Sequence, residues 1–98
     1  MVVNKVNICG KEFKCEFIDE NTVDDFLARK KGDIANIHFK NIRFYSNIQD
    51  LYFKNVLFED CEFDGSDILN EPGILSVEFV NCYFEEKVHA FVDRMEVA

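Results

Sequence analysis

The chain has 98 residues, a net charge of −8 and 11 phenylalanines. That length suits one domain around one core, and a hydrophobic share of 48% argues against a wholly disordered chain. With 19 acids against 11 bases, attraction to a phosphate backbone is disfavoured, and no apolar run is long enough to span a membrane as a helix.

The opening residues MVVNKVNICGKEF hold no uninterrupted apolar stretch ending in small residues, which predicts a cytoplasmic protein. Val3 to Ile8 alternates loosely, Gly10 marks a turn, and Phe13, Cys15 and Phe17 alternate again, so this stretch reads as a β-hairpin. Asn21-Thr22 then opens a short helix with Asp24 and Asp25 in its first turn. Val23, Phe26 and Leu27 give its apolar stripe, Arg29-Lys30-Lys31 its last turn, and Gly32 its stop. The basic triplet is read as helix C-terminal charge rather than as a nucleic-acid site. Residues 1–36 are thus expected to form an N-terminal hairpin and helix that cap the rest of the domain.

From residue 37 the chain falls into five-residue blocks with apolar first and third places: IHFKN, IRFYS, LYFKN, VLFED, CEFDG, SDILN, VEFVN and CYFEE. The third place is Phe39, Phe44, Phe53, Phe58, Phe63, Ile68, Phe79 and Phe84. Strand alternation accounts for the i, i+2 part but not for the reset every five residues, and a helix would point i and i+5 to different sides. The spacing predicts a solenoid over 37–86, its coil built of four five-residue sides whose first and third side chains point inward. Phe39, Phe58 and Phe79 are then stacked at intervals of 19 and 21 residues, as are Phe44, Phe63 and Phe84. Cys61 and Cys82 stack above Ile42, and Asn41, Asp60 and Asn81 stack at a corner. Residues 87–98 carry Val88, Phe91, Val92 and Met95 on one helical face. That face is expected either to cap the last coil or to join two chains, giving a monomer or a homodimer through a C-terminal helix.

The blocks CEFDG, SDILN, VEFVN and CYFEE resemble the pentapeptide-repeat family, whose motif is a small residue, then Asp or Asn, then Leu or Phe, then two variable residues. The resemblance implies a mainly β fold, a short right-handed quadrilateral β-helix over 37–86. Ile, Leu and Val often replace the small first residue here, a departure expected to swell the coil.

Four cysteines at 9, 15, 61 and 82 form no CxxC pair, so they read as small core side chains in a reducing setting. No G-x-S-x-G, Walker A, G-x-G-x-x-G or H-E-x-x-H string occurs, and outward places on a convex scaffold supply no cleft. The expectation is a non-enzymatic protein with no catalytic residue, no cofactor and no metal. His38 falls in an outward second place and is expected to face solvent.

The charge excess is concentrated. Residues 55–86 hold nine acids and no Lys or Arg. Stacked carboxylates at Glu59, Glu62, Asp64, Asp67, Glu78 and Glu85 are expected to approximate a phosphate array. The family resemblance adds that some pentapeptide-repeat proteins mimic DNA in shape and charge and bind topoisomerases. One expectation is therefore an acidic inhibitor, phage-like in style, that fills the nucleic-acid groove of a topoisomerase or a phage-defence nuclease. The alternative is a structural or adaptor module that binds a protein partner through outward tyrosines, among Tyr45, Tyr52 and Tyr83, without mimicry.

Overall fold

The computed structural model describes residues 2–30, 32–45, 51–64 and 74–84. Strands β1 (Val3–Ile8) and β2 (Lys11–Ile18) form an antiparallel hairpin, joined at Cys9-Gly10. Both turn residues have positive φ, 51° and 85°, the requirement of a two-residue turn that follows strand twist. Helix α1 (Val23–Arg29) comes next, with Asp24 and Asp25 in its first turn. The amides of Thr22 and Val23 both donate to the Asp19 carbonyl, so the chain turns into the helix through Asp19. Buried Val23 and Phe26 anchor it.

Then come β3 (Asp33–Lys40), β4 (Arg43–Phe44), β5 (Tyr52–Glu59), β6 (Glu62–Phe63), β7 (Ile74–Val80) and β8 (Tyr83–Phe84). They build a five-stranded mixed sheet of order β1-β2-β3-β5-β7 and a three-stranded parallel sheet of order β4-β6-β8. In the parallel pairings Phe39 sits beside Phe58 and Phe58 beside Phe79, while Phe44 sits beside Phe63 and Phe63 beside Phe84. Intervals of 19 and 21 residues are thus strand registers. The rings form two columns: Phe39–Phe58–Phe79 stacks at 5.1 and 5.2 Å, and Phe44–Phe63–Phe84 at 5.2 and 5.0 Å. Rings of one column meet the other edge-on at 5.2–5.8 Å, as between Phe58 and Phe63 and between Phe44 and Phe58. Each such pair adds about 0.5–1.5 kcal/mol beyond the area it buries. Phe26 of α1 meets Phe39 edge-on at 5.8 Å and closes one end of the stack.

This architecture corrects the quadrilateral pentapeptide-repeat solenoid. The large sheet is mixed and curled into a half-barrel. The blocks LYFKN and VLFED do not make two separate sides on it but run together in the single strand β5. β3, β5 and β7, each of seven or eight residues, are bent in the middle at Asn36, Asn55 and Ser76, whose φ values are 58°, 56° and 55°. A residue in the left-handed region turns the backbone without ending the strand, and Asn takes that region more readily than most side chains. The corner after each strand carries a second such residue, Asn41, Asp60 or Asn81.

The curl is read from contacts between strands far apart in the sheet order. β1 lies at one edge, yet it touches β5 and, at the opposite edge, β7. Only Glu16, Phe17 and Ile18 of β2 pair with β3, so the rest of the hairpin folds over the sheet's outer face. Ile8, Cys15 and Leu57 are buried there, with Val6, Phe13 and Val80 packed against them. The described residues therefore form two cores. His38, expected outside, is only 6% exposed and lies against Phe17, ring centroids 5.4 Å apart.

The described residues contain a single helix, α1, near the N-terminus. The expected pairing of a solenoid with separate N- and C-terminal helices is corrected accordingly, and so is dimerisation through a C-terminal helix. Residues 87–98 themselves lie outside the described residues. No helix among the described residues is long and apolar enough to cross a membrane.

Candidate protein-interaction surface

The small sheet places its outward side chains in rows. Arg43 of β4 pairs with Glu62 of β6, and Glu62 with Tyr83 of β8, so Arg43, Glu62 and Tyr83 form one row across three strands. Tyr45 and Asp64 directly follow β4 and β6, and their contacts with Arg43 place both on its side of the sheet. Beneath these rows lie Phe44, Phe63 and Phe84, all buried. The surface therefore rests on the stacked rings and has little freedom to shift.

Arg43 holds the rows together. Its Nε donates to Asp64 Oδ2 at 2.7 Å and lies 3.3 Å from Glu62 Oε2. Its guanidinium carbon stands 5.1 Å from the Tyr45 ring centroid. The hydrogen bond from Arg43 to Asp64, with that carboxylate's charge, holds the guanidinium above its ordinary range. These groups are open to solvent, so the ion pairs serve mainly to fix orientation rather than to add stability. Tyr45 is 68% exposed and Tyr83 63%, large aromatic areas held outward, the first beside Arg43 and the second beside Glu62.

Tyr52 is 50% exposed but belongs to the large sheet, where it starts β5 beside Asp33. It is not in the rows that carry Tyr45 and Tyr83. The acidic residues are also dispersed. Glu59 stands between Lys40 and Val80 in register, and its Oε1 lies 2.9 Å from His38 Nε2. Glu78 stands beside Leu57 and accepts the Cys9 backbone N–H at 2.7 Å. Glu62 and Asp64 face Arg43. The four described carboxylates thus have a histidine, a turn amide or an arginine as neighbour, and none pairs in register with another of the four. Asp67 and Glu85 lie outside the described residues.

A groove of about 470 Å³ runs between the turn into α1 and the first corner, lined in part by Asp19, Lys40, Asn41 and Asp60. Two of its carboxylates already have partners. Asp19 bonds the Asn21 amide and the Thr22 hydroxyl, and Asp60 accepts from Asn81 Nδ2 at 2.6 Å. Among the described residues no group of three or more His, Cys, Asp or Glu is arranged to hold a metal ion.

Arg43 is the member of the surface that sequence reasoning misses. A signal for it exists: blocks IRFYS, CEFDG and CYFEE align Arg43 with Glu62 and Tyr83, and Tyr45 with Asp64. Opposite charges at the same place in successive blocks predict a cross-strand pair. No protein-family model matches the chain, and no curated protein or solved structure matches it either.

Proposed function

We propose that this chain is a non-enzymatic adaptor that binds a protein partner through the outward face of β4-β6-β8, with Tyr45 and Tyr83 as anchors and Arg43 beside Tyr45. The observation that carries this reading is the exposure of both tyrosines on a rigid, ring-backed sheet. A tyrosine held outward offers large contact area for the loss of only two torsions, and Tyr and Arg dominate the energetics of protein interfaces. A cytoplasmic setting fits Cys15, Cys61 and Cys82, which are thiols rather than disulfides.

The test is capture of partners from a lysate by the wild-type chain and three variants. A specific partner is expected to be lost with Tyr45→Ala/Tyr83→Ala and retained with Tyr52→Ala. Loss with Glu59→Lys/Glu78→Lys, while the tyrosine double variant still binds, would instead support an acidic inhibitor of a DNA-acting protein. Circular dichroism of each variant separates lost binding from lost fold.

A further inference from the structure

The blocks CEFDG and CYFEE start with cysteines 21 residues apart, and the fold turns that spacing into adjacency. Glu59 pairs with Val80 just before them and Glu62 with Tyr83 just after, so Cys61 and Cys82 lie abreast on neighbouring parallel segments. Backbone bonds bracket the pair: the Asp60 amide donates to the Val80 carbonyl at 3.0 Å and the Tyr83 amide to that of Cys61 at 2.9 Å. Neighbouring strands lie about 4.8 Å apart, within the Cα separation that a disulfide spans.

The two thiols point the same way. Cys61 Sγ donates to the carbonyl two residues back, Glu59, at 3.3 Å, and Cys82 Sγ does the same to Val80 at 3.4 Å. Each thiol also leans over the preceding strand, Cys82 Sγ towards the Phe58 carbonyl at 3.1 Å and Cys61 Sγ towards that of Phe39 at 3.7 Å. The neighbouring Cys61 thiol draws Cys82 below its ordinary pKa against the effect of burial, while Cys82 and burial push Cys61 up. Access differs as well: Cys61 is buried and Cys82 half-buried. The third member of the column, Ile42, shows that packing there does not require sulfur. A half-buried cysteine stacked on a fully buried second one is the arrangement in which oxidation of the first is resolved by the second.

We propose that Cys82 and Cys61 form an oxidation site for hydroperoxides, Cys82 as the attacking thiol and Cys61 as the resolving one. The Cys82 thiolate attacks the peroxide oxygen, the S–O bond forms, the O–O bond breaks, and the departing alkoxide or hydroxide takes a proton. The Cys61 sulfur then attacks the Cys82 sulfenic acid, the S–S bond forms, and water leaves. In sum, two thiols and one hydroperoxide give a disulfide, one alcohol or water, and one water. The thiols are oxidised by two electrons and the peroxide is reduced by two. The bond would tie the β5–β6 corner to the β7–β8 corner, next to Glu62 and Tyr83 on the outward face.

The test uses the full chain with Cys9→Ser, which removes the exposed thiol from the readout. The protein is treated with hydrogen peroxide, its thiols are counted, and its peptides are mapped by mass spectrometry. Expected are loss of both the Cys61 and Cys82 thiols, an intramolecular Cys61–Cys82 cross-link, and full recovery with dithiothreitol. Adding Cys61→Ala should stop the reaction at a Cys82 sulfenic acid that dimedone traps. Should that variant fail to fold, the peptide map of Cys9→Ser decides alone. Oxidation of Cys82 no faster than that of buried Cys15, or cross-links only to Cys15 or between chains, would overturn the proposal.

Discussion

The two faces of the large sheet are built from the same strands yet held in different ways. On the inner face, every turn of the chain delivers another Phe to the same columns, and the rings are each other's neighbours. On the outer face, register aligns Phe17, His38, Leu57 and Glu78, four side chains of unlike chemistry. Nothing in that row packs on its own kind. It is covered by the β1–β2 hairpin, which joins the row at Phe17 and then folds back to bring Ile8 and Cys15 onto Leu57. One face is thus stabilised by repetition within the parallel strands, the other by a single docking event.

This contrast assigns the largest effect to the ring column. Phe58 meets Phe39, Phe44, Phe53, Phe63 and Phe79. Phe58→Ala should cost about 3–5 kcal/mol, measured by urea unfolding, a large part of the stability of a domain of this size. A loss below about 1 kcal/mol would show that the columns are not the main support.

Leu57→Ala comes next, at about 2–3 kcal/mol, because its cluster is small and its neighbours have room to settle. The more telling readout is amide exchange. Residues 3–15 should lose protection while Phe58 and Phe79 keep theirs. Equal loss across the chain would merge the two cores into one cooperative unit.

The smallest effect is expected at Glu78, which ties the Cys9 amide to the far edge of the sheet. Glu78→Ala should cost about 1 kcal/mol, since the bond lies near solvent. Faster exchange of the Cys9 amide with unchanged ring-core protection would place the effect at the hairpin tip. An unchanged Cys9 exchange rate would remove this contact from the forces that hold the curl.

Much of the inner face is legible in the sequence because it repeats. Phe in one place of a five-residue beat specifies which residues lie abreast, and the corner residues Asn41, Asp60 and Asn81 show up as short polar side chains at the same place. Their side-chain bond runs from one corner to the next, Asn81 to Asp60, rather than into turn backbone. The bends at Asn36, Asn55 and Ser76 are harder to see. Lys54 and Asn55 are adjacent polar residues in one block, yet only Asn55 has the positive φ that makes a bend. The candidate surface is half legible. Tyr83 and Glu62 follow from their outward places, whereas Arg43 gains meaning only once register sets it beside Glu62.

The −8 charge is one dense acidic block in composition. The fold nevertheless distributes four of its described carboxylates, Glu59, Glu62, Asp64 and Glu78, to separate partners: His38, Arg43 and the Cys9 amide. Strand spacing, the inward ring columns, the hairpin and the short helix are all written in the residue order, because they depend on side-chain period and on local turn chemistry. Three further features emerge only in the folded chain: two blocks share one bent strand, the sheet curls, and the hairpin buries His38 and Leu57. Those outcomes depend on where a distant segment docks, and docking is governed by the summed burial of many weak contacts that no local pattern records.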